Sequence, residues 1–159
     1  MRETEQSLRD KLNSAKHQIQ DQDPGLLPKI VRLSILEEDG DIIVGYNSGS
    51  EDKFVIAQRL GNFLKLAGTG FNHPLDKTHD KLEVAAESVE LGGTYRHYKS
   101  PEMTYSAVGF SVFEEDGDIL VGYEAQYGEK LPFERRFRSF TDNVRTDSGV
   151  RPRFSLVET

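Results

Sequence analysis

Cysteine is absent from the 159 residues, which excludes disulfides and thiolate chemistry and makes a cytoplasmic location the default expectation. Long apolar runs are absent too. No stretch approaches the ~20 residues a membrane helix needs, and no signal-peptide pattern precedes the charged start Met1-Arg2-Glu3. There is no nucleophile elbow, phosphate-cradling glycine loop or dinucleotide fingerprint, and Gly68-Thr69-Gly70 is too short to count as one. Positive charge is scarce: 20 Lys and Arg against 27 Asp and Glu leave a net charge of −7, which argues against wholesale nucleic-acid binding. Only 36% of the residues are hydrophobic, yet the length suffices for one domain or two small ones with a real core.

What the chain does have is one phrase written twice. VRLSILEEDGDIIVGY runs from Val31 to Tyr46 and VGFSVFEEDGDILVGY from Val108 to Tyr123, an ungapped offset of 77 residues. Val31, Leu33 and Ile35 alternate with polar residues, Asp39-Gly40 supplies a turn dipeptide, and Ile42-Ile43-Val44 follows, so each phrase reads as a β-hairpin. Glycine at the turn accepts positive φ and lets the strands close tightly. The clusters Glu37-Glu38-Asp39-Asp41 and Glu114-Glu115-Asp116-Asp118 lack the ligand spacing and the later bidentate Glu of a calcium loop, and read as solvated turns.

The offset carries on past the hairpins. Phe54 to Ala67 aligns with Leu131 to Val144, pairing Arg59 with Arg136, Leu60 with Phe137 and Phe63 with Phe140, and each stretch reads as a strand entering a short helix. Before the first copy, Leu8, Leu12, Ala15 and Ile19 form a narrow apolar stripe on an amphipathic helix that Asp23-Pro24-Gly25 ends. That stripe suits either packing on its own domain or a dimer seam, which leaves a homo-oligomer open. The expected organisation is therefore a helix over 1–23, a degenerate β repeat over 24–67, a linker over 68–92 and a second β repeat over 93–159. Leu82 to Leu91 is ambiguous between helix and strand, and Gly149 to Val157 reads as a closing strand.

The second repeat carries Gly93-Thr94-Tyr95-Arg96-His97-Tyr98-Lys99, Tyr105, the hairpin with Val121 and Tyr123, Tyr127-Gly128, Arg135 with Phe140, and Arg153-Phe154. On these residues, about 93 to 159 resemble the small family catalogued as domain of unknown function 1653, and residues 27–67 look like a degenerate copy of the same unit. The resemblance implies a short, mostly β domain and supplies no reaction. Phe133-Glu134-Arg135-Arg136 stands where the family usually reads Trp-Val-Arg-Pro, and Phe113 stands where a His is common. In the first copy Gln18, Asp21, Gln22 and Gln58 lie opposite Tyr95, Tyr98, Lys99 and Arg135. The polar signature is lost there while the hairpin persists, which suggests one functional half and one scaffolding half.

The candidate ligand site is Tyr95, His97, Lys99, Arg135 and Arg153. In a strand, Tyr95, His97 and Lys99 share one face and Arg96 and Tyr98 the other. A ring, an imidazole and an ammonium with an Arg nearby suit a planar anionic ligand such as a nucleotide. The competing reading makes the tyrosines half-buried sheet residues and pairs the cations with Asp and Glu across strands. His73, His79, Asp76 and Asp80 lack the Cys or third His that would complete a metal set, so neither a metal nor a cofactor is expected.

The fold expectation is a mainly β, α+β protein of two pseudo-repeated SH3-like small barrels or half-barrels with an N-terminal amphipathic helix. The functional expectation is a soluble binding module for an anionic or nucleotide-like small molecule. The alternative is an adaptor that meets protein or nucleic acid through its basic end from Lys130 to Arg153. A hydrolase with His97 as base ranks last, since no unique acid is placed to assist it.

Overall fold

The computed structural model describes residues 4–47, 54–66 and 73–157. Helix α1 (Glu5–Gln22) starts at Thr4, whose side chain accepts from the Ser7 amide, and buries Leu12, Ala15 and Ile19. A 3₁₀ helix, Pro24–Lys29, then turns the chain into a meander of β1 (Ile30–Leu36), β2 (Ile42–Asn47) and β3 (Val55–Arg59) that ends in α2 (Leu60–Leu66). After α3 (Leu75–Ser88) come β4 (Thr94–His97), the long β5 (Ser100–Phe113), β6 (Ile119–Ala125), β7 (Pro132–Arg136) and α4 (Phe137–Phe140). The chain closes with β8 (Asn143–Thr146), β9 (Gly149–Pro152) and β10 (Phe154–Leu156).

Six strands close one barrel in the order β1-β2-β3-β5-β6-β7, returning to β1. The protein is thus mostly β with a few helices. The two halves do not each form a barrel of their own. Each gives an antiparallel meander, and the meanders join through two parallel pairings, β1 with β7 and β3 with β5. The registers correspond at the sequence offset: Ile35↔Ile42 matches Val112↔Ile119, Ile43↔Arg59 matches Leu120↔Arg136, and Ile35↔Phe133 matches Val112↔Ile56. Both hairpins also carry a bulge at the same place, which turns Val31 and Val108 out to 45% and 40% exposure.

Period-two alternation divides each ring strand between lumen and exterior. Leu36, Ile43, Ala57, Phe113 and Leu120 fill one end of the lumen. The other end is polar, with Arg32 lying against Glu134 and Ser111. Outside, Ile35 and Ile42 pack under Leu12 and Ala15 of α1, while Val44, Tyr46, Val112 and Ile119 join Ile19, Phe63 and Ala85 in the largest cluster. No described helix is long and apolar enough to cross a membrane.

The stretch expected as a linker needs correction. Leu75–Ser88 is a helix following Pro74, with Thr78 and Ala85 buried and Leu82 packed on the core, and Val89 is buried just beyond it. The polar and Asp-rich sequence of 73–81 hid a helix whose buried face is only one residue wide per turn; residues 68–72 lie outside the described residues. The single closing strand expected from Gly149 to Val157 is two: β9 pairs with β8 in a separate ribbon, and β10 adds to β4 at the edge of the main sheet.

A cleft between the two halves

Strand β5 outruns the barrel, and β4 pairs with its protruding N-terminal part: Tyr95 faces Tyr105 and Arg96 faces Thr104. A bulge after Arg96 and the pairing His97↔Ser100 end the strand in a tight turn at Tyr98-Lys99. Beside this turn opens a cleft of about 730 Å³. Its walls are the β4–β5 hairpin, the first acidic turn around Glu37-Glu38-Asp39, the N-terminal turn of α1 at Glu5 and Leu8, and Phe133 and Arg135 of β7.

Four of the five residues picked from the sequence line this cleft: His97, Lys99, Arg135 and Arg153. Tyr95 does not. It is 7% exposed, packs edge-on to Phe140 at 5.2 Å, and its hydroxyl accepts from the Glu90 amide at 2.9 Å. Because β4 ends at His97, the run of alternate side chains stops before Lys99, which lies on the turn with its Nζ 5.9 Å from the Tyr98 ring centre. The aromatic partners of the cleft are instead Tyr98, Tyr105, Tyr127 and Phe133, which the site reading had passed over. The hydroxyls of Tyr105 and Tyr127 are hydrogen-bonded at 2.5 Å, and Tyr98 lies 4.7 Å from the His97 ring.

The cations differ in how firmly they are engaged. Arg135 donates to Glu37, with Nη2 2.9 Å from Oε2, and to Ser139 Oγ at 3.0 Å, while its Cζ lies 5.6 Å from the Phe154 ring. Arg153 donates to the Ser139 carbonyl at 3.0 Å. Among the described residues, neither Lys99 nor Arg153 has a carboxylate within ion-pair distance. His97 Nδ1 accepts from the Lys99 amide at 3.2 Å, and its ring meets Phe154 edge-on at 5.0 Å.

The acidic turns are half exposed, as solvated turns would be, but arginines organise them. Arg59 reaches Asp39 and Asp41 of the first turn and Glu115 of the second; Arg136 reaches Asp116 and Asp118 of the second and Glu38 of the first. Burial works against the Arg59 charge, yet the hydrogen bonds to its three carboxylates push its pKa above the ordinary value, and the same holds for Arg136. Burial would raise the Asp116 carboxyl, but the Asp118 amide and the Arg136 guanidinium hold it below the usual range. The aligned pair Arg59 and Arg136 was visible in the sequence, and the acid excess of the turns was the signal that it had a role.

The lumen pair was missed altogether. Arg32 lies 2.9 Å from Glu134, which is fully buried and also accepts from Ser111 at 3.2 Å. Burial pushes the Glu134 carboxyl up, and Arg32 and Ser111 pull it back only partly. Gly109 and Gly122 leave room for the guanidinium: a Cβ on Gly122 would sit 2.6 Å from Arg32 Nη2.

The basic C-terminal end is engaged in part within the molecule. Arg135, Arg136 and Arg138 all pair with acids of the turns, while Arg145 and Arg151 stay exposed on the β8–β9 ribbon. His73 Nε2 lies 2.7 Å from the Glu114 carbonyl and His79 meets Phe54 edge-on, so the two histidines face different neighbours.

The family model described as "Protein of unknown function (DUF1653)" matches residues 93–156. A solved structure from Bordetella bronchiseptica, titled as a protein belonging to that family, is 32% identical over 42% of this chain and 85% of its own, with a TM-score of 0.38. No curated protein matches the chain.

Proposed function

The chain belongs, through its C-terminal part, to the DUF1653 family, and from that premise we propose that it is a binding module whose cleft holds a small planar anion of the nucleotide class. The observation that carries this reading is the pairing of two cations that lack a carboxylate partner among the described residues, Lys99 and Arg153, with the rings of Tyr98, Tyr105, Tyr127 and Phe133 in one cleft. Rings favour stacking on a flat base, and unneutralised cations at the rim favour phosphate, with the guanidinium able to take two oxygens at once. About 730 Å³ is in the range of small-molecule sites.

The matching registers support a pseudo-repeat in which each copy is an SH3-like half-barrel and only the second kept its ligand side. In each half a tyrosine and a phenylalanine pair on the outer barrel face: Tyr46 with Phe63 at 5.5 Å, Tyr123 with Phe140 at 5.7 Å. Ile19 and Leu26 cover the first pair, whereas Tyr95 and Phe154 cover the second and leave the cleft beside them.

Calorimetric titration with AMP tests the reading. Wild type should bind, and the variant Lys99→Ala with Arg153→Ala should lose about tenfold or more in affinity, the loss of two charge-assisted contacts. Equal binding by both proteins, or none by wild type up to millimolar AMP, would refute it. The adaptor reading retains one supporting feature, the exposed Arg145 and Arg151 on the β8–β9 ribbon. A salt-sensitive complex lost on Arg145→Glu with Arg151→Glu would favour that reading instead.

A further inference from the structure

We propose that Glu37 is a built-in occupant of the cleft's anion subsite: its carboxylate holds Arg135 until a phosphate group of the ligand takes its place, and so selects phosphate monoesters over weaker anions. The inference rests on the binding reading above.

Arg59 and Arg136 each hold three carboxylates, through Nε and Nη1. Arg135 is built differently. Its guanidinium is oriented by uncharged groups: the Ser139 hydroxyl at 3.0 Å, the Tyr123 hydroxyl at 3.5 Å and the ring of Phe154. Its one carboxylate among the described residues is Glu37, and a single oxygen, Oε2, serves both Nε at 3.2 Å and Nη2 at 2.9 Å. That edge of a guanidinium accommodates two oxygens side by side, which a phosphate supplies and the Glu37 contact does not.

Glu37 is also placed to move aside. It comes from the other half of the barrel, sits in a turn, lines the cleft, and its side chain is 35% exposed against 16% for Arg135. At the matching place in the first half the arginine is replaced by Gln58, which is fully buried, so this carboxylate–guanidinium contact exists only on the cleft side. With Glu37 in place, a ligand must offer Arg135 more than a carboxylate does. A dianionic phosphate monoester meets that condition.

The test is a calorimetric titration of AMP and of adenosine into wild type and Glu37→Gln, with thermal melting to confirm folding. Removing the competing charge should tighten AMP binding about threefold to fivefold, the range of one exposed ion pair, and leave adenosine unchanged. Glu37→Asp, which keeps the turn's charge but shortens the reach to Arg135, should fall between the two and serves if the Gln variant fails to fold. An AMP affinity in Glu37→Gln equal to or weaker than wild type, while wild-type binding still depends on Lys99 and Arg153, would overturn the proposal and leave the binding reading standing. AMP binding by no protein of the set would overturn both.

Discussion

Arg59 and Arg136, 77 positions apart, both lie over the ring of Phe113, their Cζ atoms 5.5 and 5.3 Å from its centre. Each arginine holds two acids of its own turn and one of the other turn, so the two halves of the barrel are clamped reciprocally at the apolar end of the lumen.

Cutting one clamp should weaken the fold and do so in a pH-dependent way. Arg136→Met leaves the half-exposed carboxylates of Glu38 and Asp116 without their guanidinium and Asp118 with Arg138 alone, and should cost about 1 kcal/mol at neutral pH. Asp116 has a folded pKa below its unfolded value, so its contribution is complete above the ordinary range near pH 4 and is lost as pH falls through the lower folded value. The stability gap between wild type and Arg136→Met should therefore narrow below about pH 4. Urea unfolding at pH 7, 4 and 3 measures it, and a gap constant across that range contradicts the clamp.

The lumen pair should show coupling with its glycine neighbours. Arg32→Ala strands the fully buried Glu134 carboxylate and should cost about 3 kcal/mol or more. Gly122→Ala places a Cβ 2.6 Å from Arg32 Nη2 and 3.0 Å from Glu134 Oε2, and should cost about 1–3 kcal/mol. Because both changes act on the same guanidinium, the double variant should lose less than their sum. Additive losses by chemical denaturation would mean that Arg32 does not occupy the lumen in solution.

Two aligned tyrosines should respond oppositely to loss of the hydroxyl. Tyr46 is 5% exposed and its hydroxyl has no hydrogen-bond partner among the described residues, whereas the Tyr123 hydroxyl accepts from Arg135. Tyr46→Phe should leave stability unchanged or raise it by about 1 kcal/mol, and Tyr123→Phe should lower it by about 0.5 kcal/mol. Burial, with the charge of Glu114 adding, pushes the Tyr46 phenol up to about 12. A folded pKa above the unfolded value of about 10 gives stability that is lost as pH rises toward the folded value, so wild type should lose ground to Tyr46→Phe between those limits. Thermal melts of the three proteins from pH 8 to 11 provide the comparison.

Much of the architecture was legible because repetition is a sequence property. The repeated phrase, the turn glycines and the strand-to-helix stretches at Phe54 and Leu131 located six ring strands and both short helices. Barrel closure was not legible, since parallel pairing of β1 with β7 and of β3 with β5 joins segments about 60 to 100 residues apart and leaves no local periodicity. Helix α3 was legible only in part: Leu82 to Leu91 was open between helix and strand, and the polar first half before it carries a single buried residue, Thr78. Of the site, His97, Lys99, Arg135 and Arg153 were reached through the family resemblance. Tyr95 was misplaced because the bulge after Arg96 breaks the alternation that would put it on the face of His97, and Glu37 and Arg32 were passed over because their partners come from the other half.

The most direct test of the cleft is amide chemical-shift mapping by NMR as AMP is added to uniformly ¹⁵N-labelled protein. The binding account predicts saturating shifts at His97, Lys99, Tyr105, Tyr127 and Arg153, with Glu37 shifting as its carboxylate leaves Arg135. Shifts centred on the β8–β9 ribbon, or none at millimolar AMP, would contradict it.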